Sequence, residues 1–338
     1  MATLLTSSLH RLTRHTRLGT RTLVTAADAA QQMMRTFEGQ TKILRQTLDG
    51  HQLQKLSLTL NRKHLHPGLD VTTQPPPAGT PLPPGYHLVY FCPTAVEAEL
   101  GADGTDKTFN AVAPFSRRMW AGGRMSWTEG VPLRVGEEVE ERTRLVCATA
   151  KKSRDGSEMV LVEVEKEFWG PQGLALVDRR SWVFRPPPKE VLTRTEENVA
   201  GSVPGAVGRY STVEDVRIDD SGNPQRQFRW SPVALFRFSA LTFNAHMIHY
   251  NESWTHNIEG HPAVVVHGPL NLIGMMDYWR DVHGTGREAG EISYRALSPL
   301  YAGDQYAVRT DAVQGKTWEI GVAKGDKLCM KGTISSHA

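Results

Sequence analysis

Asn244, His246 and His249 lie within one six-residue stretch, and His267-Gly268-Pro269 follows a short way along the chain. These residue types suit proton transfer beside a carbonyl group. A positioned imidazole takes a proton from carbon and returns one to a departing oxygen, and His249 is the candidate for that work. Asn244 is an amide and cannot carry a proton away, but it can orient a water or a hydroxyl by hydrogen bonding. Gly268 and Pro269 stand where a helix should begin. There, unpaired backbone N–H groups and the positive end of the helix dipole stabilise a carbonyl oxygen as it gains charge. Glycine has no side chain to block that approach. His246 reads either as a wall of the site or as a structural residue, and His267 as the residue that starts the helix.

Apolar periodicity outlines the elements that must hold these groups. Residues 36–60 look helical with a break at Asp49-Gly50, where Asp49 can cap a second helix. Residues 62–84 contain seven prolines and read as loop. From 139 to 184 the period changes to two: Val160, Val162 and Val164 alternate with other residues, and turn signals at 154–157 and 170–173 divide three strands of an antiparallel meander. Residues 186–224, opening with Pro186-Pro187-Pro188, read as a linker. In the second half, 233–238 reads as a strand delivering Asn244, His246 and His249 into a short helical or loop segment. A second apolar run then brings His267-Gly268 to a buried helix, for which Pro269 is acceptable at the first position and Leu270, Ile273, Met276 and Tyr278 supply apolar surface. Strands are expected at 290–297, 304–310 and 317–324. Each half is thus a helix followed by an antiparallel sheet, and 338 residues are enough for two domains.

Bulk composition excludes several classes. With 39% hydrophobic and 22% charged residues the chain is globular in type, and its longest apolar run, 262–276, is interrupted by polar residues and too short to span a membrane. Cys92, Cys147 and Cys329 are far apart, which indicates neither a disulfide framework nor a zinc ribbon. The formal charge is +3, but residues 1–27 hold four arginines and no acid, and +3 less four leaves −1 for the rest. Nothing in that balance asks for nucleic acid. The acid-free, Ser/Thr/Arg-rich start has the pattern of a mitochondrial presequence over residues 1–27.

The run from Phe236 through Arg237, Phe238 and Ser239 to Asn244-Ala245-His246-Met247-Ile248-His249, with His267-Gly268 ahead of a central helix, resembles the signature of the MaoC-like hydratases: D-x-N-P-x-H, then H-G. It is closer still to the branch of mitochondrial type 2 hydroxyacyl-thioester dehydratases, F-R-[FY]-S-A-L-T-F-N-x-H-x-I-H. The resemblance extends to Arg117-Arg118-Met119-Trp120-Ala121-Gly122-Gly123, to Ser293-Tyr294-Arg295-Ala296-Leu297 and to Tyr301-Ala302-Gly303-Asp304. It implies an α+β double hot-dog, two long helices each wrapped by a curved antiparallel sheet: a degenerate hot-dog over 28–185 and a second over 225–338 carrying the catalytic set.

The implied reaction is the addition or removal of water across the 2,3 bond of an acyl thioester on acyl carrier protein or coenzyme A. Aligned on its final histidine, the signature puts His249 at the catalytic histidine and Asn244 at the acid, and this departure leaves the proton chemistry to His249. His246, His267, Pro269, Arg295 and Arg237 are the expected substrate contacts. Arg117, Arg118 and Arg124 are further candidates for carrier phosphates. The presequence pattern favours 3-hydroxyacyl dehydration in mitochondrial fatty acid synthesis. Its rivals are a mesaconyl-CoA-like hydratase of branched or dicarboxylic acyl groups, an inactive carrier-binding protein and a thioesterase. No cofactor is called for, and no metal, although His246, His249, His256, His261 and His267 together raise zinc as an alternative. A homodimer is left open.

Overall fold

The computed structural model describes residues 24–153, 155–187, 210–219 and 222–337, so residues 1–23 of the expected presequence and 188–209 of the expected linker lie outside them. The first half comprises α1 (Ala26–Phe37), β1 (Thr41–Thr47), α2 (Gly50–Thr59), a hairpin of β2 (His64–His66) and β3 (Leu69–Asp70), then β4 (Arg117–Trp127), β5 (Glu138–Lys152), β6 (Glu158–Gly170) and β7 (Gly173–Arg185). The second comprises β8 (Thr212–Val213), β9 (Arg217–Ile218), β10 (Pro224–Arg229), α3 (Pro232–Leu241), α4 (Glu252–Asn257), α5 (Gly268–Val282), β11 (Ala289–Ala296), β12 (Tyr306–Gln314), β13 (Thr317–Lys324) and β14 (Lys327–Ser336). Among the described residues, twelve strands form one antiparallel sheet in the order β1-β5-β6-β7-β4-β11-β14-β13-β12-β10-β8, with β9 also on β10.

The meander β5-β6-β7 and the helix after His267 stand where the sequence places them, and Asp49 caps α2 by accepting from the N–H groups of His51 and Gln52. Two expectations are corrected. Residues 233–238 are helix, because Ser231 caps Ala234 N–H and Pro232 is tolerated at the first turn, while Ala234, Leu235 and Phe238 bury one helical face. Residues 41–47 are strand β1 at the sheet edge, where pairing to β5 overrides a weak helical period. Part of the segment read as linker, β8, β9 and Pro224, pairs within the second half of that sheet. β14 was not anticipated.

In the second half α5 is the wrapped helix: from Leu270 to Trp279 every residue is buried, as its all-round apolar sequence requires. The first half covers its sheet differently. Val160, Val162, Val164, Lys166 and Phe168 share one face of β6. Its valines pack in a cluster with Ala29 and Met33 of α1, whereas Phe168 belongs to a larger core with Leu53 and Leu56 of α2. Two short helices thus cover the ends of a face that one long helix would cover entirely.

The halves meet where β4 pairs with β11. Gly123 faces Tyr294 there, and a Cβ on it would lie 2.3 Å from the Arg179 carbonyl oxygen and 2.6 Å from the Tyr294 hydroxyl, so only glycine lets the Tyr294 ring lie flat across the seam. Met125, Ile292 and Tyr294 are buried in a core that draws on both halves. Cutting the chain at a protease site inserted within 188–209 should therefore leave two pieces that co-elute on size exclusion; separation on cleavage would mean the seam holds less than its burial implies.

Candidate active site

The site is built from the end of α3. Phe243 N–H donates to the Ala240 carbonyl (3.2 Å) and Asn244 N–H to that of Ser239 (2.8 Å), with Phe243 in the left-handed region at φ +47°. This is a Schellman reversal with phenylalanine where glycine is usual, at a cost of about 1–2 kcal/mol. It throws residues 244–249 across the molecule. A loop of the first half pins that segment: Met247 N–H donates to the Asp103 carbonyl (2.8 Å), and Gly104 passes so near that a Cβ would lie 2.0 Å from the Ala245 oxygen.

His249 is buried, with Nδ1 2.7 Å from the Val265 carbonyl oxygen. A carbonyl only accepts, so Nδ1 carries the proton and Nε2 keeps its lone pair. Burial, then the neighbouring His246, pushes the imidazole pKa down to about 3, so the ring is neutral. His267 stacks on it with centroids 3.6 Å apart and is held by Ser239 Oγ at 2.9 Å from Nε2. Burial, then His249, also drives His267 well below the ordinary range.

His246 is lowered to about 3 by burial and then by Arg118 and Arg117. Its Nε2 lies 3.6 Å from Asp103 Oδ2. With a neutral ring at that distance the contact is neither an ion pair nor a full hydrogen bond. Asn244 Oδ1 accepts from His246 N–H (3.1 Å), which leaves the NH2 as the group this amide offers to a ligand.

A cavity of about 930 Å³ opens between the halves, lined by Asn244, His246, His249, Gly268 and Pro269 on one side and by Trp120 on the other. Gly268 begins α5 behind its N-cap His267. A Cβ there would lie 3.3 Å from the Trp120 ring and would press on it beside the helix start. Catalytic candidates His249, Asn244 and Gly268 are thus brought together with His246 and Pro269.

The other expected contacts are not placed on the cavity. His267 lies behind His249 as its support. Arg237 is exposed on the outer side of α3, opposite the buried Leu235 and Phe238. Arg295 alternates with the inward Tyr294 and so emerges on the other face of β11. Arg117 is paired with Glu259 and Arg124 with Glu291, whereas Arg118 does line the cavity. Among the described residues no group of three or more His, Cys, Asp or Glu is placed to hold a metal.

Sequence reasoning missed Asp103 and Gly104, which act through long-range contacts and carry no local pattern, and it held Trp120 and Ser239 only as motif members with no role at the site. It also missed Lys166 and Arg180 on the cavity wall. For Lys166 a signal existed, since it breaks the inward row of valines on β6.

Two helices' worth of hot-dog architecture sharing one sheet, with a neutral histidine set over the start of the wrapped helix, define the double hot-dog hydratase class. Residues 85–302 match the family model for hydroxyacyl-thioester dehydratase type 2, and the chain belongs to that family. It is 34% identical over 228 residues, 67% of this chain and 73% of the relative, to the mesaconyl-C(4)-CoA hydratase of Chloroflexus aurantiacus. It is 27% identical over 244 residues, 66% of this chain and 75% of the relative, to the mitochondrial hydroxyacyl-thioester dehydratase type 2 of Schizosaccharomyces pombe. In fold it is similar to a MaoC-like dehydratase from Phytophthora capsici (TM-score 0.58, 11% identity, 90% of this chain and 98% of that one). A Mycobacterium tuberculosis protein described as a double hot-dog is also similar (TM-score 0.52, 14% identity, 90% and 97% covered).

The depressed histidines have a consequence for acid stability. Each binds a proton in the unfolded chain below the ordinary histidine value of 6.5 but not in the fold, so the stability is present above 6.5 and is lost as pH falls. Below that value each site withdraws up to about 1.4 kcal/mol per pH unit. The melting temperature should therefore drop steeply from pH 7 to pH 5 and less so in His267→Phe; equal slopes would mean His267 is not buried neutral. Asn244→Asp keeps the acceptor for His246 N–H but removes the NH2, and should lose hydration activity about as severely as Asn244→Ala, at roughly 10-fold or more. Wild-type rates in Asn244→Asp would make the residue an acceptor instead.

Proposed function

We propose that this protein interconverts 2-enoyl and 3-hydroxyacyl thioesters by adding and removing water, with His249 as the acid/base. The observation that carries the reading is the hydrogen bond from His249 Nδ1–H to the Val265 carbonyl, which leaves Nε2 as a base in a cavity that also holds the start of α5. In hydration Nε2 takes a proton from water as its oxygen bonds to C3. The thioester oxygen gains enolate charge beside Gly268 N–H, and the imidazolium then delivers its proton to C2. The dry surroundings disfavour the charged ring, so the proton is passed on rather than stored. Asn244 NH2 orients the water or the hydroxyl. Dehydration runs the same path backwards.

His249→Ala should lower the rate of crotonyl-CoA hydration by ~10²–10⁴-fold while the fold and thioester binding survive. Turnover indifferent to this change, measured by loss of enoyl absorbance, would remove His249 from the mechanism.

Two finer readings each have support. The family description, the S. pombe relative and the arginine-bearing start favour dehydration of 3-hydroxyacyl carrier protein in mitochondrial fatty acid synthesis. Residues 1–27 fused to a reporter should then direct it to mitochondria, and a cytosolic reporter would count against that reading. Greater identity to the Chloroflexus relative favours hydration of a dicarboxylic acyl-CoA.

A further inference from the structure

The inward face of the first-half sheet is apolar at both ends and ionic in the middle. On β6, Lys166 stands between Val164 and Phe168. Beside it on β5 are Thr143 and Glu141, and on β7 Asp178 is its cross-strand partner, with Arg180 two residues on. Lys166 Nζ lies 2.8 Å from Glu141 Oε1 and 3.2 Å from Thr143 Oγ1. Arg180 Nε and Nη2 both bond Asp178 Oδ2, at 2.8 and 2.7 Å, and His87 Nε2 is 3.4 Å from the same oxygen. Glu141 and Asp178 are almost wholly buried. Three members, Glu141, Lys166 and Arg180, line the same cavity as His249. Arg118, on the wall between this cluster and His246, stacks over the Trp182 ring at 5.0 Å from its centroid and meets its polar neighbours only at long range: its Nη1 is 3.4 Å from Asn110 and 3.9 Å from Asp106.

These contacts leave donors to spare. Lys166 has a third N–H, and Arg180 keeps Nη1 without a bond to protein. A saturated acyl tail laid over them would strip their water and return nothing, which is the costly way to bury a polar group. A carboxylate would replace that water with charge-assisted bonds, including the forked pairing to which a guanidinium is suited. The loosely matched Arg118 supplies a cation to balance it.

We propose that Arg180 and Lys166, with Arg118 beside them, form an anion subsite for a carboxylate at the far end of the acyl group, so that the preferred substrates are thioesters of unsaturated or hydroxylated dicarboxylic acids. This rests on the hydratase reading above and sharpens it. The recognition groups lie in the first half and the proton-transfer group in the second, so acyl length is set by the span between them.

The test is a series of 2-enoyl-CoA esters of rising length, each ending in a methyl or in a carboxylate. At one length the carboxylate ester should win by ~10-fold or more in kcat/KM. Arg180→Gln and Lys166→Met should pull that ratio towards unity. Glu141→Gln, which keeps a partner for Lys166 while freeing its charge, should raise the ratio and covers the case in which the cation variants fail to fold. Preference for methyl-ended esters at every length, or a ratio unmoved by Glu141→Gln and Arg180→Gln, overturns the inference. Binding of the corresponding saturated esters by calorimetry separates the two claims. Tighter binding of the carboxylate ester without turnover of either series would keep the subsite and sink the hydratase reading, and equal binding would sink the subsite.

Discussion

The bond between His249 Nδ1 and the Val265 carbonyl is the constraint on which the site depends. It selects the tautomer, aims the lone pair of Nε2, and exists only because two segments are held in register. Val265 N–H returns to the Ile248 carbonyl at 2.8 Å, and Val265 also bridges to Tyr301, so the strand-like run before α5 is tied on both sides. His267, two residues on, stacks beneath the same imidazole and caps the helix whose first two residues, Gly268 and Pro269, line the cavity. One short peptide stretch therefore sets His249, its support His267 and the start of α5 relative to each other. That arrangement gives orientation without a buried charge, because all three histidines that meet there are neutral.

Neutrality has a cost and a use. A charged imidazole in this setting would need a partner, and the nearest carboxylate, Asp103, stands 3.6 Å from His246 rather than in contact with His249. His249 thus remains unprotonated well below neutral pH at the expense of acid stability. The amide at Asn244 fits the same economy: it holds the His246 backbone and presents a donor without adding a charge that would draw a proton onto His249.

The second half could not form this site alone. Trp120, Gly104 and Asp103 come from the first half: residues 245–247 lean on the backbone of Asp103 and Gly104, and the Trp120 ring lies against Gly268. In exchange the first half covers the middle of its sheet with no long helix, and the buried Glu141 and Asp178 pair there with Lys166 and Arg180 beside the cavity. Buried ion pairs are weak stabilisers, since desolvation offsets much of their attraction. Their presence on the cavity wall is better understood through what they would bind than through what they add to the fold.

Much of this was legible in the residue order, for a physical reason: local spacing sets periodicity, turns and caps. The β5-β6-β7 meander, the Asp49 cap and the Pro269 helix start follow from neighbours in the chain, while the hot-dog class and the candidacy of His249 came from the resemblance its histidine signature carries. Period alone failed at 233–238, where Ser231 and Pro232 make a helix start that outweighs a strand-like run of apolar residues, and at 41–47, where an edge pairing decides. Arg237 and Arg295 belong to the motif by sequence, yet helix phase and strand alternation turn them outward. The tautomer of His249, the use of the Asn244 oxygen by its own backbone and the closeness of Trp120 to Gly268 are relations between groups far apart in sequence. Only the tertiary structure could decide them, because a hydrogen bond or a stack is set by distance in space, which residue order does not contain.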